Sequence, residues 1–99
     1  MNRRLIVEPE AEAEFAESAD WYERRTRVAV QRFLDAVTRT LHLIQRSPEQ
    51  YQVVYRDVRR ATVDEFRYAI FHKLTDTQII IVSCFQTSRN PKIWRDRLQ

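Results

Sequence analysis

Arginine carries most of the chemical potential in this sequence. Arg56, Arg59, Arg60, Arg67, Arg89, Arg95 and Arg97, with Lys73, crowd the second half, and Trp94, Tyr55 and Tyr68 lie among them. A guanidinium is planar, permanently charged, and shaped to grip a carboxylate or phosphate with two parallel donors. Interleaved with aromatic rings, such a set suits three roles. It can pair phosphates and stack bases of a nucleic acid. It can anchor a protein interface, where Trp, Tyr and Arg dominate the binding energy. It can also be a solvated face whose aliphatic stems cover apolar neighbours. Catalysis would require a proton-transfer group beside the cations. His42 and His72 fall on different predicted elements, and no Ser or Cys sits in an activating motif. The lone Cys84 lies in an apolar strand, where a buried inert thiol is expected. Metal-ligand spacing is absent, so neither a metal nor another cofactor is expected.

The charge is unevenly placed. Residues 1–55 sum to −1 and residues 56–99 to +4, so nearly all of the +3 excess lies where the arginines cluster. The chain has no glycine. Glycine-rich phosphate loops need backbone positions only glycine fits, so nucleotide binding of that kind is excluded. Turns must rely on Asp, Thr, Ser, Asn and Pro. A chain of 99 residues with 43% apolar content has room for one core, which predicts a single domain over residues 1–99. The start MNRRLIVEPEAE lacks the apolar stretch of a signal peptide, and no run approaches the ~20 apolar residues of a membrane span. A soluble, cytoplasmic protein without membrane contact is expected.

Hydrophobic periodicity supplies the scaffold. A short apolar strand over 3–8 is followed by a helix over 10–25, with Ala11, Phe15, Ala19 and Tyr22 on one stripe. Glu8, Glu10, Glu12 and Glu14 crowd its start and Arg24, Arg25 and Arg27 its end, as the helix dipole favours. A second helix over 28–46 carries a seam of Val30, Phe33, Leu34, Val37, Leu41 and Ile44, with His42 beside the seam, and stops at Ser47-Pro48. The short link at Thr26 folds the two helices into an antiparallel hairpin. Strands follow at 52–56, 58–64, 67–74 and 78–85. The last of these is the most apolar, expected at the sheet centre with both faces covered. Pro91 opens a short turn or helix that carries the basic tail through Arg97. The order β-α-α-β-β-β-β predicts an α+β domain: an N-terminal strand, a helix hairpin, then a four-stranded antiparallel sheet.

Four stretches resemble a known family. Pro9 to Tyr22 (PEAEAEFAESADWY) resembles its opening helix. Gln31 to Leu34 (QRFL), with the seam through Ile44 and the stop at Pro48, resembles its second helix. Val58-Arg59-Arg60 followed by Phe66-Arg67-Tyr68 is similar to an R-R…F-P-Y region, with Arg67 where proline is common. Ser88 to Arg97 (SRNPKIWRDR) resembles a closing R-R-x-P-x-x-W segment. The family is the RelE/ParE superfamily of toxin–antitoxin modules, and the closer likeness is to the ParE branch, also called plasmid stabilisation proteins. The chain departs from it at Gln86-Thr87-Ser88, where a His is frequent, and in having only Arg89 before Asn90-Pro91, where two arginines are common.

The resemblance implies a toxin neutralised by a ParD-like antitoxin. That antitoxin's C-terminal segment wraps the toxin while its N-terminal half binds operator DNA, so this chain meets DNA only indirectly. It further implies DNA gyrase as the target, inhibited by binding. The expected contact set for target or antitoxin is Arg59, Arg60, Arg67, Tyr68, Arg89, Asn90, Trp94, Arg95 and Arg97. The alternatives are a RelE-like ribosome-dependent messenger ribonuclease using Arg59, Arg60, Arg67, His72 and Arg89, or a non-toxic relative that only binds its antitoxin. RelE-type cleavage needs proton transfer, commonly from a Tyr or His near the C-terminus. Here Trp94 stands in that segment, and indole is neither acid nor base.

Overall fold

Element boundaries follow local chemistry closely. In the computed structural model, which describes residues 3–87 and 89–98, β1 (Arg4–Val7) leads directly into α1 (Pro9–Glu23). Proline occupies the first helical turn, where its missing N–H is no loss, and Glu10 and Glu12 sit at the positive end of the dipole. Thr26 starts α2 (Arg27–Arg46): its hydroxyl accepts a hydrogen bond from the Ala29 N–H at 2.8 Å. The buried stripe of α2 runs through Phe33, Val37 and Ile44 as the periodicity requires, and adds Ala36 and Thr40. After Pro48–Gln50, a 3-10 turn, come β2 (Val53–Tyr55), β3 (Val58–Val63), β4 (Tyr68–Leu74) and β5 (Gln78–Gln86). The chain closes with α3 (Lys92–Arg95) and a 3-10 turn, Asp96–Leu98.

The strands form one five-stranded sheet in the order β1-β5-β4-β3-β2. The expectation of four antiparallel strands after the hairpin holds for β2 to β5. β1 then joins the same sheet, pairing parallel to β5 over Gln78–Ile81. This addition corrects the position of β5, which is an inner strand buried on both faces but one place from the centre; β4 is the middle strand. A strand-register shift between Phe71 and His72 bends the β4–β5 pair.

Each face of the sheet has its own core. The helix hairpin covers one, the helix face, where Ala61, Val63, Tyr68, Ile70, Ile79 and Ile81 pack against Phe33, Val37 and Ile44. The C-terminal segment covers part of the other, the tail face, where Trp94 and Leu98 pack on Val58, Ala69, Phe71, Val82 and Phe85. With no glycine available, two turn positions among the described residues are left-handed with ordinary side chains, Arg56 (φ 52°) and Glu65 (φ 71°). Neither belongs to the residue types expected to make the turns, and each conformation costs about 1–2 kcal/mol.

A basic cleft on the tail face

Strand alternation separates the two neighbouring arginines of β3. Arg60 shares the tail face with Val58 and lines a cleft there of about 120 Å³. Arg59 turns the other way, and its guanidinium donates to the backbone carbonyls of Glu49 (3.0 Å) and Tyr51 (2.8 Å). It therefore pins the loop after α2, on the side of the sheet away from Arg60.

The floor of the cleft is Phe71 from β4, Phe85 from β5 and Trp94 from α3, with Val54 from β2; Arg60, Arg89 and Arg95 stand around it. Ring contacts hold two of these cations. The Arg89 guanidinium lies 5.1 Å from the Phe85 centroid and that of Arg95 lies 4.9 Å from the Tyr55 centroid. Among the described residues, no carboxylate lines the cleft. Asn90 does not line the cleft; its side-chain oxygen accepts the Lys92 N–H at 3.0 Å just before α3. Arg67 is exposed in the β3–β4 turn, and its carbonyl accepts the Thr87 N–H at 3.0 Å, which ties that turn to the end of β5. Ser88, the first residue of the closing motif, lies outside the described residues.

Three further residues of the expected contact set make their contacts within the fold. Trp94 is 1% exposed, packed 4.4 Å from Phe71 and 5.7 Å from Tyr55 between ring centroids. It is the keystone of the tail-face core rather than an exposed anchor. Tyr68 is fully buried on the helix face against Phe33, and burial pushes its hydroxyl well above the usual phenol range. Arg97 is engaged internally. It donates to the Val82 carbonyl at 2.7 Å and bridges to the Glu14 carboxylate at 3.4 Å. Glu14 in turn accepts from the Ser83 hydroxyl (2.8 Å) and the Cys84 N–H (3.3 Å). These bonds cover the edge of β5 where β1 has ended, since β1 pairs only as far as Ile81.

The ribonuclease set is not assembled. His72 is fully buried on the helix face beside Tyr51, its Nε2 3.4 Å from the Pro48 carbonyl oxygen, and burial holds its pKa below the ordinary histidine value. Its strand neighbour in register is Arg59. The pair is thus on the opposite side of the sheet from Arg60 and Arg89. Cys84 is buried, as expected, and burial pushes its thiol up to about 12.

Sequence reasoning missed Phe71, Phe85 and Val54 as cleft walls, because their role depends on which sheet face the tail covers. It also missed Glu14 as a tertiary ligand, since its position among helix-opening acids has a sufficient local explanation.

No helix among the described residues is long and apolar enough to cross a membrane. No curated protein matches the chain. Among solved structures, a chain of the "Chromosomal ParDE TA system from P. aeruginosa" superposes with a TM-score of 0.74. It is 14% identical, and the match covers 85% of this chain and 95% of that one. At this identity the likeness establishes the fold. The family model described as "ParE toxin of type II toxin-antitoxin system, parDE" matches residues 5–91, so the chain belongs to the ParE toxin family of type II toxin–antitoxin systems.

Proposed function

We propose that this single-domain, cytoplasmic protein acts by binding, with DNA gyrase as its target and a ParD-like antitoxin as its neutralising partner. One observation carries the preference for binding over catalysis. The cleft gathers Arg60, Arg89 and Arg95, while the histidine nearest in sequence to that set, His72, is buried on the other face of the sheet. Arginines stabilise charge but exchange no protons near neutral pH. Trp94 lines the cleft and offers only an N–H donor. Membership of a toxin–antitoxin family supports an antitoxin partner. Two surfaces suit the antitoxin's wrapping segment: the basic cleft, and an apolar groove of about 220 Å³ lined by Val7, Phe15, Val37, Leu41, Ile70 and Ile81 beside the hairpin.

Purified gyrase assayed for supercoiling with and without the protein tests the target. Loss of supercoiling or accumulation of a cleavage complex at micromolar toxin is expected. Full supercoiling with no cleavage complex removes gyrase from the proposal.

A further inference from the structure

We infer that the cleft under Arg60, Arg89 and Arg95 is a receptor for a peptide carboxylate carried next to an apolar side chain. The inference rests on the proposed binding function in one respect: the partner is taken to be a protein.

Charge is the first support. Three arginines line one small cleft. Among the described residues no carboxylate lines it, and none of the three is ion-paired. Like charges held together repel, and a bound anion relieves that repulsion while accepting paired N–H donors. The arrangement is also held in advance. Arg89 lies over Phe85 and Arg95 over both Tyr55 and Trp94, which limits the rotamer freedom lost on binding.

Unmet donors are the second. The Trp94 Nε1 and Arg95 Nε atoms are buried without a hydrogen-bond partner among the described residues, and both residues line the cleft. Buried donors are rarely left unpaired without a reason.

Shape separates a peptide from a nucleic acid. The floor is apolar, and about 120 Å³ suits one side chain beside the charged rim. Trp94 is 1% exposed and tilted at 32° onto Phe71, so its faces are not available to stack a base.

The test is a titration of the ¹⁵N-labelled full chain, read at the Trp94 indole resonance, with the Trp21 indole on α1 as internal reference. The probes are acetyl-Leu-Glu-Phe with a free C-terminus, its Gln analogue with an amide end, inorganic phosphate, and a single-stranded oligouridylate. Saturable displacement of the Trp94 signal by the acidic peptide is expected, with the uncharged analogue at least about tenfold weaker. Arg60→Gln and Arg89→Gln should each lower affinity about tenfold, while Arg46→Gln on α2 leaves it unchanged. An immobile Trp94 signal up to about 10 mM peptide overturns the inference. So does oligouridylate or phosphate binding as tightly as the acidic peptide. Growth of cells expressing the chain alone separates the two failures. Normal growth removes the toxin reading and leaves the titration standing, whereas growth arrest with no peptide binding removes this inference alone.

Discussion

The two faces of one sheet are built to different standards. On the helix face, Phe33 is fully buried at the centre of a ring cluster, with Tyr22 at 4.6 Å, Tyr68 at 4.9 Å, Phe66 at 5.4 Å and Phe15 at 5.9 Å between centroids. A 15-residue and a 20-residue helix close over it. On the tail face a four-residue helix and one 3-10 turn do the covering, and one large ring, Trp94, plugs the core from that side. The incomplete cover leaves the arginine-lined cleft open. Dense packing is thus concentrated on one side of the sheet, and arginines without an ion pair among the described residues on the other.

That contrast can be broken by mutation. Phe33→Ala should be the most damaging change, at about 3–5 kcal/mol, because it empties the densest part of the core. Urea unfolding followed by circular dichroism should show one transition at a much lower midpoint. Trp94→Ala should cost less, about 2–4 kcal/mol, because its cavity lies beside an open cleft and solvent can enter it. Its effect should also be local. Amide exchange at Lys92–Leu98 should accelerate strongly while α2 retains nearly global protection. Equal loss of protection in α2 would show that the two faces form one cooperative unit.

Arg97→Ala probes the link between the faces. The side chain is 29% exposed and its partner Glu14 20% exposed, so screening reduces the ion pair itself. The short bond to the Val82 carbonyl and the carboxylate left behind bring the expected loss to about 1–2 kcal/mol. In a double-mutant cycle with Glu14→Gln the two effects should be sub-additive. Simple additivity would mean that Arg97 acts through Val82 alone.

Much of the fold was legible because its signals are local. The Phe33–Ile44 seam, Thr26 before α2, Pro9 at the helix start and the apolar run of β5 each report on neighbours within a few residues. The site was less legible because its logic is non-local. Alternation alone shows that Arg59 and Arg60 must part, yet which face receives the tail depends on how Trp94 packs. Trp94 and Arg97 have the composition of an exposed interface, and the structure spends both on holding the last segment down. β1 was readable as a strand, but its parallel pairing to β5 depends on the hairpin carrying the chain back across the sheet.

The smallest effect expected is a dependence on pH, and it belongs to the helix face. Burial lowers the pKa of His72 from its usual 6.5, while its contact with the Pro48 carbonyl opposes the shift and nearby Arg59 adds to it. The unfolded chain therefore takes up a proton at this site before the folded protein does. Stability from a neutral buried His72 is fully present above the unfolded value and is lost as pH falls through the lowered folded one. A His72→Gln variant lacks this titration. Its melting temperature should lie below that of the parent at about pH 8, and the gap should narrow as pH falls toward about 5. A constant or widening gap would mean that His72 is not held neutral. The Trp94 indole response to the acidic peptide should be the same in this variant as in the parent, because the sheet lies between His72 and the cleft. A changed response would show that the two faces communicate through β4.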